Sequence, residues 1–264
     1  MGQSETTAAL AWPALQPVAH LPGSLPMGGV VPMTPVHAFV QTPPALRWPQ
    51  ATTLSPTRRD LDLGGLLGFV IDHLVTAEEA DAMVQASERM GYREEAPGIA
   101  TPPGMRMNKS VHWLADEAMM QPLWDRMAKL LPPRIGDAVL FPALSHRINM
   151  YRYDDQDVFN LHTDGSWPGY SLSADRTQMQ VWDEAIQSCL TMLLYLNGEA
   201  EGVQGGQTRL FRPDGSTVDV SPVKGSALFF RHGFGRDSVR HIGCVVHGSV
   251  SKYVARINVM YRPG

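Results

Sequence analysis

The sequence predicts a mainly β fold of the α+β class, a double-stranded β-helix (jelly roll) core backed by N-terminal helices. Three observations carry that expectation. Apolar residues recur at helical spacing up to about residue 135 and at spacing two beyond residue 140. About eight short runs then follow one another, separated by Gly, Pro, Asp and Ser turns, as in a double-sheet β architecture. A hydrophobic share of 44% with 18% charged residues is that of a globular chain, large enough to bury a core.

Residues 1–60 stand apart. They hold ten of the 21 prolines, from Pro13 to Pro56, and few charges. Proline removes the backbone donors that helices and sheets need, so the expectation is a Pro-rich, loosely ordered N-terminal arm draped over the rest. Residues 61–264 read as one domain, with helical support over 66–135 and the jelly-roll core over 140–264. "LLGFVIDHLV" reads as a buried strand running towards a helix. Thr76 and Glu79 have the spacing of a capping box, after which Ala80, Met83, Val84 and Met90 form an apolar stripe. A second helix carries Leu123, Met127, Leu130 and Leu131 and stops at Pro132-Pro133. The strands expected after that are 146–153, 158–163, 189–197, 208–212, 217–221, 226–231, 241–247 and 252–261. Residues 165–188 make a long connection, with Trp167, Tyr170, Arg176 and Trp182 suited either to closing over a substrate or to packing among themselves. The segment 100–113, with Arg106 and Asn108, is a second candidate rim.

A net charge of −4 gives no electrostatic footprint for nucleic acid, so no nucleic-acid partner is expected. No apolar run reaches the length of a membrane span, and no basic region precedes Arg47 as a signal peptide would require. The two cysteines, Cys189 and Cys244, are too few for a disulfide framework and fit a reducing, cytoplasmic compartment.

The chemistry concentrates in "FNLHTDGSW", Phe159 to Trp167. On a strand, His162 and Asp164 share a face and can converge on one metal. Two imidazoles and one carboxylate form the facial set of non-haem iron(II) oxygenases, which leaves positions open for co-substrate and oxygen. A third ligand must come from a distant strand. His241, which opens "HIGCVV", is the preferred candidate and His247 its rival. In "SKYVARINVMYR", Lys252, Val254, Arg256 and Asn258 share one face while Tyr253, Ala255, Ile257 and Val259 share the other. If the apolar set packs under the helices, a lysine and an arginine point into the barrel, where an anionic ligand would offset their burial.

Four segments in this order resemble the iron(II)- and 2-oxoglutarate-dependent dioxygenases, in particular the prolyl 4-hydroxylase-like branch: "YRYDDQDVFNLHTDG", "CLTMLLYLNGEAEGVQGGQTRLF", "KGSALFF" and "HIGCVVHGSVSKYVARINVMYR". The resemblance spans about residues 66–264 and is clearest over 146–261. It implies iron(II) held by His162, Asp164 and His241, with 2-oxoglutarate and O2 as co-substrates. It sets Lys252 against the distal carboxylate of 2-oxoglutarate, with Tyr153 and Thr191 hydrogen-bonding the same group and Arg256 nearby for co-substrate or substrate. The implied reaction hydroxylates an unactivated C–H bond and releases succinate and CO2. Where relatives often have "YEPGQ", this chain has "YDDQD", and one residue is inserted between His241 and Lys252, which keeps His247 in play. The substrate, small molecule or peptide and including a peptidyl proline, is not fixed by these motifs. Two other readings compete. A metal-binding jelly roll of another chemistry, such as a cupin, would give Lys252 no role, and a non-enzymatic interaction module would make the Pro-rich arm the functional part.

Overall fold

The computed structural model describes residues 12–50 and 53–264, so the first eleven residues of the Pro-rich arm lie outside the described residues. Two strands open the described chain, β1 (Leu15–Ser24) and β2 (Val30–Phe39). Next come β3 (Thr57–Asp60), β4 (Gly68–Asp72), α1 (Ala77–Met90), β5 (Lys109–Leu114), α2 (Glu117–Met127) and β6 (Ala138–Leu144). The alternating region begins with β7 (Arg147–Tyr153), β8 (Phe159–His162), β9 (Tyr170–Leu172), β10 (Met179–Val181) and β11 (Gln187–Tyr195). It is completed by β12 (Thr208–Phe211), β13 (Thr217–Val220), β14 (Ala227–Arg231), β15 (His241–Gly243) and β16 (Lys252–Pro263).

A twelve-stranded sheet runs β3-β4-β14-β11-β16-β7-β5-β2-β1 and ends on the two-residue strand Ala96–Pro97; β6 pairs with β16 off this path and carries Arg134–Ile135. A four-stranded sheet, β8-β15-β12-β13, faces it. The strands expected from period two are all found, with the region 241–247 divided into β15 and the short piece Val246–His247. The inward and outward faces of β16 are those its pattern requires. Lys252, Val254 and Arg256 line the interior pocket, while Ala255, Ile257 and Val259 join the main apolar core.

That core lies on the opposite side of the large sheet. Ile257, Met192 and Phe229 pack there with Met83, Ala86 and Met90 of α1 and Leu123 and Met127 of α2. α1 starts at the expected capping box: the Thr76 hydroxyl accepts from the Glu79 amide at 3.1 Å, and the Glu79 carboxylate accepts from the Thr76 amide at 2.9 Å. The same carboxylate receives both terminal nitrogens of Arg126, at 2.6 and 2.7 Å, which ties α1 to α2. α2 ends at Met127, earlier than its apolar stripe suggests, and a 3-10 turn over Ala128–Leu130 carries the chain to the proline pair.

The structure corrects the expectation for the N-terminal arm. Residues 15–39 do not lie loose; they form β1 and β2, and β2 joins the large sheet beside β5 through Val36↔His112 and His37↔Trp113. The two prolines of β1 fall where the ladder tolerates them. The β1–β2 ladder shifts register twice, between Pro17 and Ala19 and between Leu21 and Gly23, so Pro17 and Pro22 sit at irregularities where a ladder donor is not required. Val36, Ala38, Phe39, Leu46 and Trp48 of this segment are buried.

The connection 165–188 is likewise a structured element. β9 and β10 pair as a hairpin. Its turn residue Arg176 donates to the Phe39 carbonyl at 2.9 Å and to Asp116 at 3.1 Å, while Gln16 donates to the Arg176 carbonyl at 2.6 Å. Trp182 packs on Phe141, ring centres 5.4 Å apart. Of the four residues singled out there, Trp167 alone lines a cavity at the candidate site.

Candidate active site

β8 and β15 are neighbouring strands of the small sheet, and His162 pairs directly with His241 across their ladder. Pairing places the imidazole rings 4.1 Å apart, although the residues are far apart in sequence. Asp164, two residues past His162, turns back towards both. His162 Nε2 lies 3.7 Å from Asp164 Oδ1, and His241 Nε2 lies 4.0 Å from Oδ2. Ligand atoms of the three residues all fall within 4.8 Å of one another, the sole such His/Cys/Asp/Glu grouping among the described residues. His247 is not part of it. It is exposed at the sheet edge, with Nδ1 3.4 Å from the Gln156 amide.

The donor set fits a divalent metal. His162 Nδ1 donates to the Asn160 carbonyl at 2.7 Å and His241 Nδ1 to the Val239 carbonyl at 3.3 Å. A ring that donates from Nδ1 carries its lone pair on Nε2, so both lone pairs face Asp164. Burial pushes both imidazoles below their ordinary range, His241 down to about 3, which keeps those lone pairs free at neutral pH. Phe159 stacks on His162 at 3.8 Å and Phe230 packs on His241 at 4.4 Å, fixing the ring planes.

Asp164 is oriented by a relay that sequence reasoning missed. The Thr191 hydroxyl donates to Asp164 Oδ2 at 2.6 Å. Thr191 Oγ1 is 2.8 Å from His232 Nδ1, and His232 Nε2 is 2.8 Å from Ser188 Oγ, which accepts from the Trp167 amide at 2.8 Å. With His232 neutral, one proton order satisfies every link: the ring donates from Nδ1 to Thr191 and accepts from Ser188 at Nε2. Burial pushes His232 down to about 4, consistent with that neutral form. Arg256 Nε also donates to Asp164 Oδ2, at 3.1 Å. Two donors on Oδ2 leave Oδ1 the freer ligand oxygen. Burial alone would raise the Asp164 carboxyl, but Arg256 and then the imidazoles hold it well below the usual carboxylate range.

A narrow pocket leads from this group to Lys252, lined by Tyr151, Tyr153, Leu193, Thr208 and Gly243 among others. Lys252 is 2% exposed, donates to the Gly206 carbonyl at 2.5 Å, and has no carboxylate partner among the described residues. Burial pushes its pKa down to about 8. Gly206 is needed there: at φ +68° an added Cβ would stand 2.9 Å from Lys252 Cδ. Tyr153 borders the same end, its hydroxyl 3.1 Å from where a Cβ on Gly243 would be.

Thr191 is displaced from its expected place. It lies beside Asp164 and does not line the pocket, whereas Thr208 does, accepting from the Tyr195 hydroxyl at 2.8 Å with its own proton still to donate. Arg256 sits at the Asp164 end, not beside Lys252. A wider cavity of about 370 Å³ opens on the far side of His162 and Asp164, with Trp167 and Met105 in its walls. Phe234 stands on its lining, 94% exposed. Of the second rim, Ala100, Thr101, Pro102 and Met105 border this cavity. Arg106 and Asn108 do not; both are fully buried, and Arg106 donates to the Ser24, Glu94 and Asn108 carbonyls.

Comparison with known proteins agrees with this geometry. Residues 148–260 match the model of the 2OG-Fe(II) oxygenase superfamily. Among solved structures, the chain is similar to a prolyl hydroxylase from Trichoplax adhaerens in complex with a hypoxia inducible factor oxygen degradation domain peptide fragment. Identity is 16%, with 76% of this chain and 86% of that one covered, at a TM-score of 0.53. It is also similar to the viral collagen prolyl hydroxylase of Paramecium Bursaria Chlorella virus-1 in its 2OG complex, at 18% identity, 76% and 99% coverage, and a TM-score of 0.50. At such identities the likeness is one of fold. No curated protein matches the chain.

Proposed function

We propose, from the match of residues 148–260 to the 2OG-Fe(II) oxygenase superfamily and from the geometry of the site, that the chain hydroxylates a C–H bond of a small-molecule or peptide substrate, with His162, Asp164 and His241 as its iron ligands. The observation that carries this reading is a single pocket with two imidazoles and a carboxylate at one end and an unpaired, buried lysine at the other. When bound, iron(II) and 2-oxoglutarate supply O2-dependent oxidation, in which one oxygen atom enters the substrate C–H bond and the other enters succinate as CO2 leaves.

The remaining work falls to the protein's own groups. Nε2 of His162 and His241 and Oδ1 of Asp164 present three donors on one side, so the opposite side stays open. Thr191, fixed by His232, and Arg256 hold Asp164 ionised and in one orientation. Lys252, with the Tyr153 and Thr208 hydroxyls, receives the distal carboxylate of 2-oxoglutarate and sets its direction along the pocket. Burial of that carboxylate beside a lysine of lowered pKa replaces an uncompensated charge by a paired one. The substrate enters from the wider cavity, whose walls meet the pocket at Tyr151, Phe159, His162, Asp164 and Arg256.

Anaerobic titration of the iron-loaded protein with 2-oxoglutarate tests the reading. A saturable visible charge-transfer band is expected. His162→Ala, Asp164→Ala and His241→Ala should each lose iron, measured by elemental analysis after desalting, while His247→Ala keeps both iron and band. Iron retained by His241→Ala would exclude the ligand set, and iron-loaded protein without a band would exclude the co-substrate.

A further inference from the structure

Beside Asp164, β7 and β16 each bury an arginine in the barrel. Arg147 and Arg256 are 4% and 5% exposed. Asn149 pairs with Arg256 across the ladder and shares its strand face with Arg147 two residues earlier, so the guanidiniums occupy one surface. They are close enough for the charge of Arg256 to count against that of Arg147, whose pKa is lowered first by burial. Two buried like charges are costly unless an anion stands between them.

The protein supplies too little negative charge. Arg147 Nη2 donates to the Pro97 carbonyl at 2.6 Å and lies 2.9 Å from His112 Nδ1. His112 is held neutral by burial and then by Arg147 itself, so it brings no negative charge. Tyr170, its ring centre 5.3 Å from the Arg147 guanidinium, offsets part of that charge, but among the described residues Arg147 Nε and Nη1 and Arg256 Nη2 make no hydrogen bond of normal length. Arg147 makes no ion pair among the described residues, and Arg256 pairs with Asp164 alone. That carboxylate is already committed as a ligand in the reading above.

One of the two borders the wider cavity and the other stands behind its wall. Arg256 lines it, together with Gly98 and Trp167. Arg147 lies directly behind that wall: its guanidinium is 5.3 Å from the Trp167 ring centre, and a Cβ on Gly98 would stand 3.4 Å from Arg147 Nη2. Lys252 belongs to the other arm of the site, so a second anion-binding position is separate from the one that takes the distal carboxylate of 2-oxoglutarate.

We propose that the substrate is a small molecule bearing a free carboxylate, which Arg256 binds from the cavity wall while Arg147 supplies the second positive charge behind it. The inference rests on the oxygenase reading and narrows its substrate class. A residue inside a peptide chain, whose carboxyl is spent in an amide, does not meet the requirement.

The experiment uses protein already shown to hold iron and to give the 2-oxoglutarate band, so failure of the oxygenase reading appears before this step. The probes are the free L-amino acids and a series of aliphatic and aromatic monocarboxylates, each beside its own carboxamide. Binding is read anaerobically from perturbation of the band and from the heat of titration. At least one acid should bind, and its amide should bind at least about tenfold more weakly, the scale of a lost charge-assisted contact. Arg147→Met should abolish that preference while 2-oxoglutarate affinity and band stay as in the wild type. Arg147→Lys, which keeps the charge if the methionine variant fails to fold, should retain the preference in part. Acids and amides binding alike, no acid binding, or an equal loss of 2-oxoglutarate affinity in Arg147→Met would each overturn the proposal, the last by giving the charge to the co-substrate.

Discussion

Lys252 is the residue at which burial, charge and the proposed co-substrate meet. Burial pushes its pKa from an ordinary 10.5 to about 8, so the unfolded chain holds a proton between those values that the empty folded protein has released. Stability of the ligand-free protein therefore rises with pH across that window, and the penalty for burying the charge is fully present below pH 8. A dianionic ligand reverses the balance, because it favours the ammonium. Affinity for 2-oxoglutarate should be constant below about pH 8 and weaken above it, by up to about tenfold per pH unit, with proton uptake on binding. Calorimetry in buffers of different ionisation heat measures that uptake, and Lys252→Met should remove it while leaving the empty protein at least as stable at pH 7. A pH-independent affinity would take Lys252 out of the carboxylate site. Period two alone left the face of Lys252 and the choice between His241 and His247 open; together with the resemblance to the oxygenase motifs it made the lysine and the three proposed iron ligands legible in sequence. Thr191 and Thr208 were not: both are inward on strands, and only the ladder register tells which one meets Asp164 and which one lines the pocket. His232 carried no local signal, since its role exists only through Ser188 and Thr191 on a neighbouring strand.

Elements were readable where one physical rule dominated. The capping box fixed the start of α1, and alternation fixed β7, β8 and β11 to β16. The β9–β10 hairpin was not, because its strands are three residues each and its hold on the molecule comes from distant partners. Arg176 is that hold, joining the hairpin turn to the Phe39 carbonyl of β2 and to Asp116 at the start of α2. The hairpin in turn positions Trp167, whose amide anchors the relay to Asp164 through Ser188. Arg176→Ala should therefore speed hydrogen exchange across 170–181 by about tenfold or more, as a local opening costing about 1–2 kcal/mol less. Exchange in α1 and β16 should not change. Protection unchanged over the hairpin would mean that packing of Trp182 on Phe141, not the arginine, holds it in place.

The largest departure from the sequence reading is at the scale of the whole molecule, where proline content obscured the part played by residues 12–50. Pro122 inside α2 cannot donate to the carbonyl of Ala118, and that carbonyl instead accepts from the Trp48 amide at 3.1 Å. The Ser24 carbonyl receives buried Arg106 at 3.2 Å, and Phe39, Leu46 and Trp48 fill the core against both helices. Removing the segment would strip β5 of one of its two strand neighbours and leave a carbonyl and a guanidinium short of partners. Burial of those three side chains alone contributes about 5–9 kcal/mol, which is comparable with the whole stability of a typical domain. A chain of residues 53–264 should accordingly fail to melt cooperatively and should lose iron, although every proposed ligand remains in it. Cooperative melting with iron retained would instead restore the reading that composition suggested, an arm laid over a domain complete without it. The two outcomes differ in what they assign to the prolines. In the first they shape an irregular sheet edge that the active domain requires, through bulges at Pro17 and Pro22; in the second they keep a dispensable segment from pairing elsewhere.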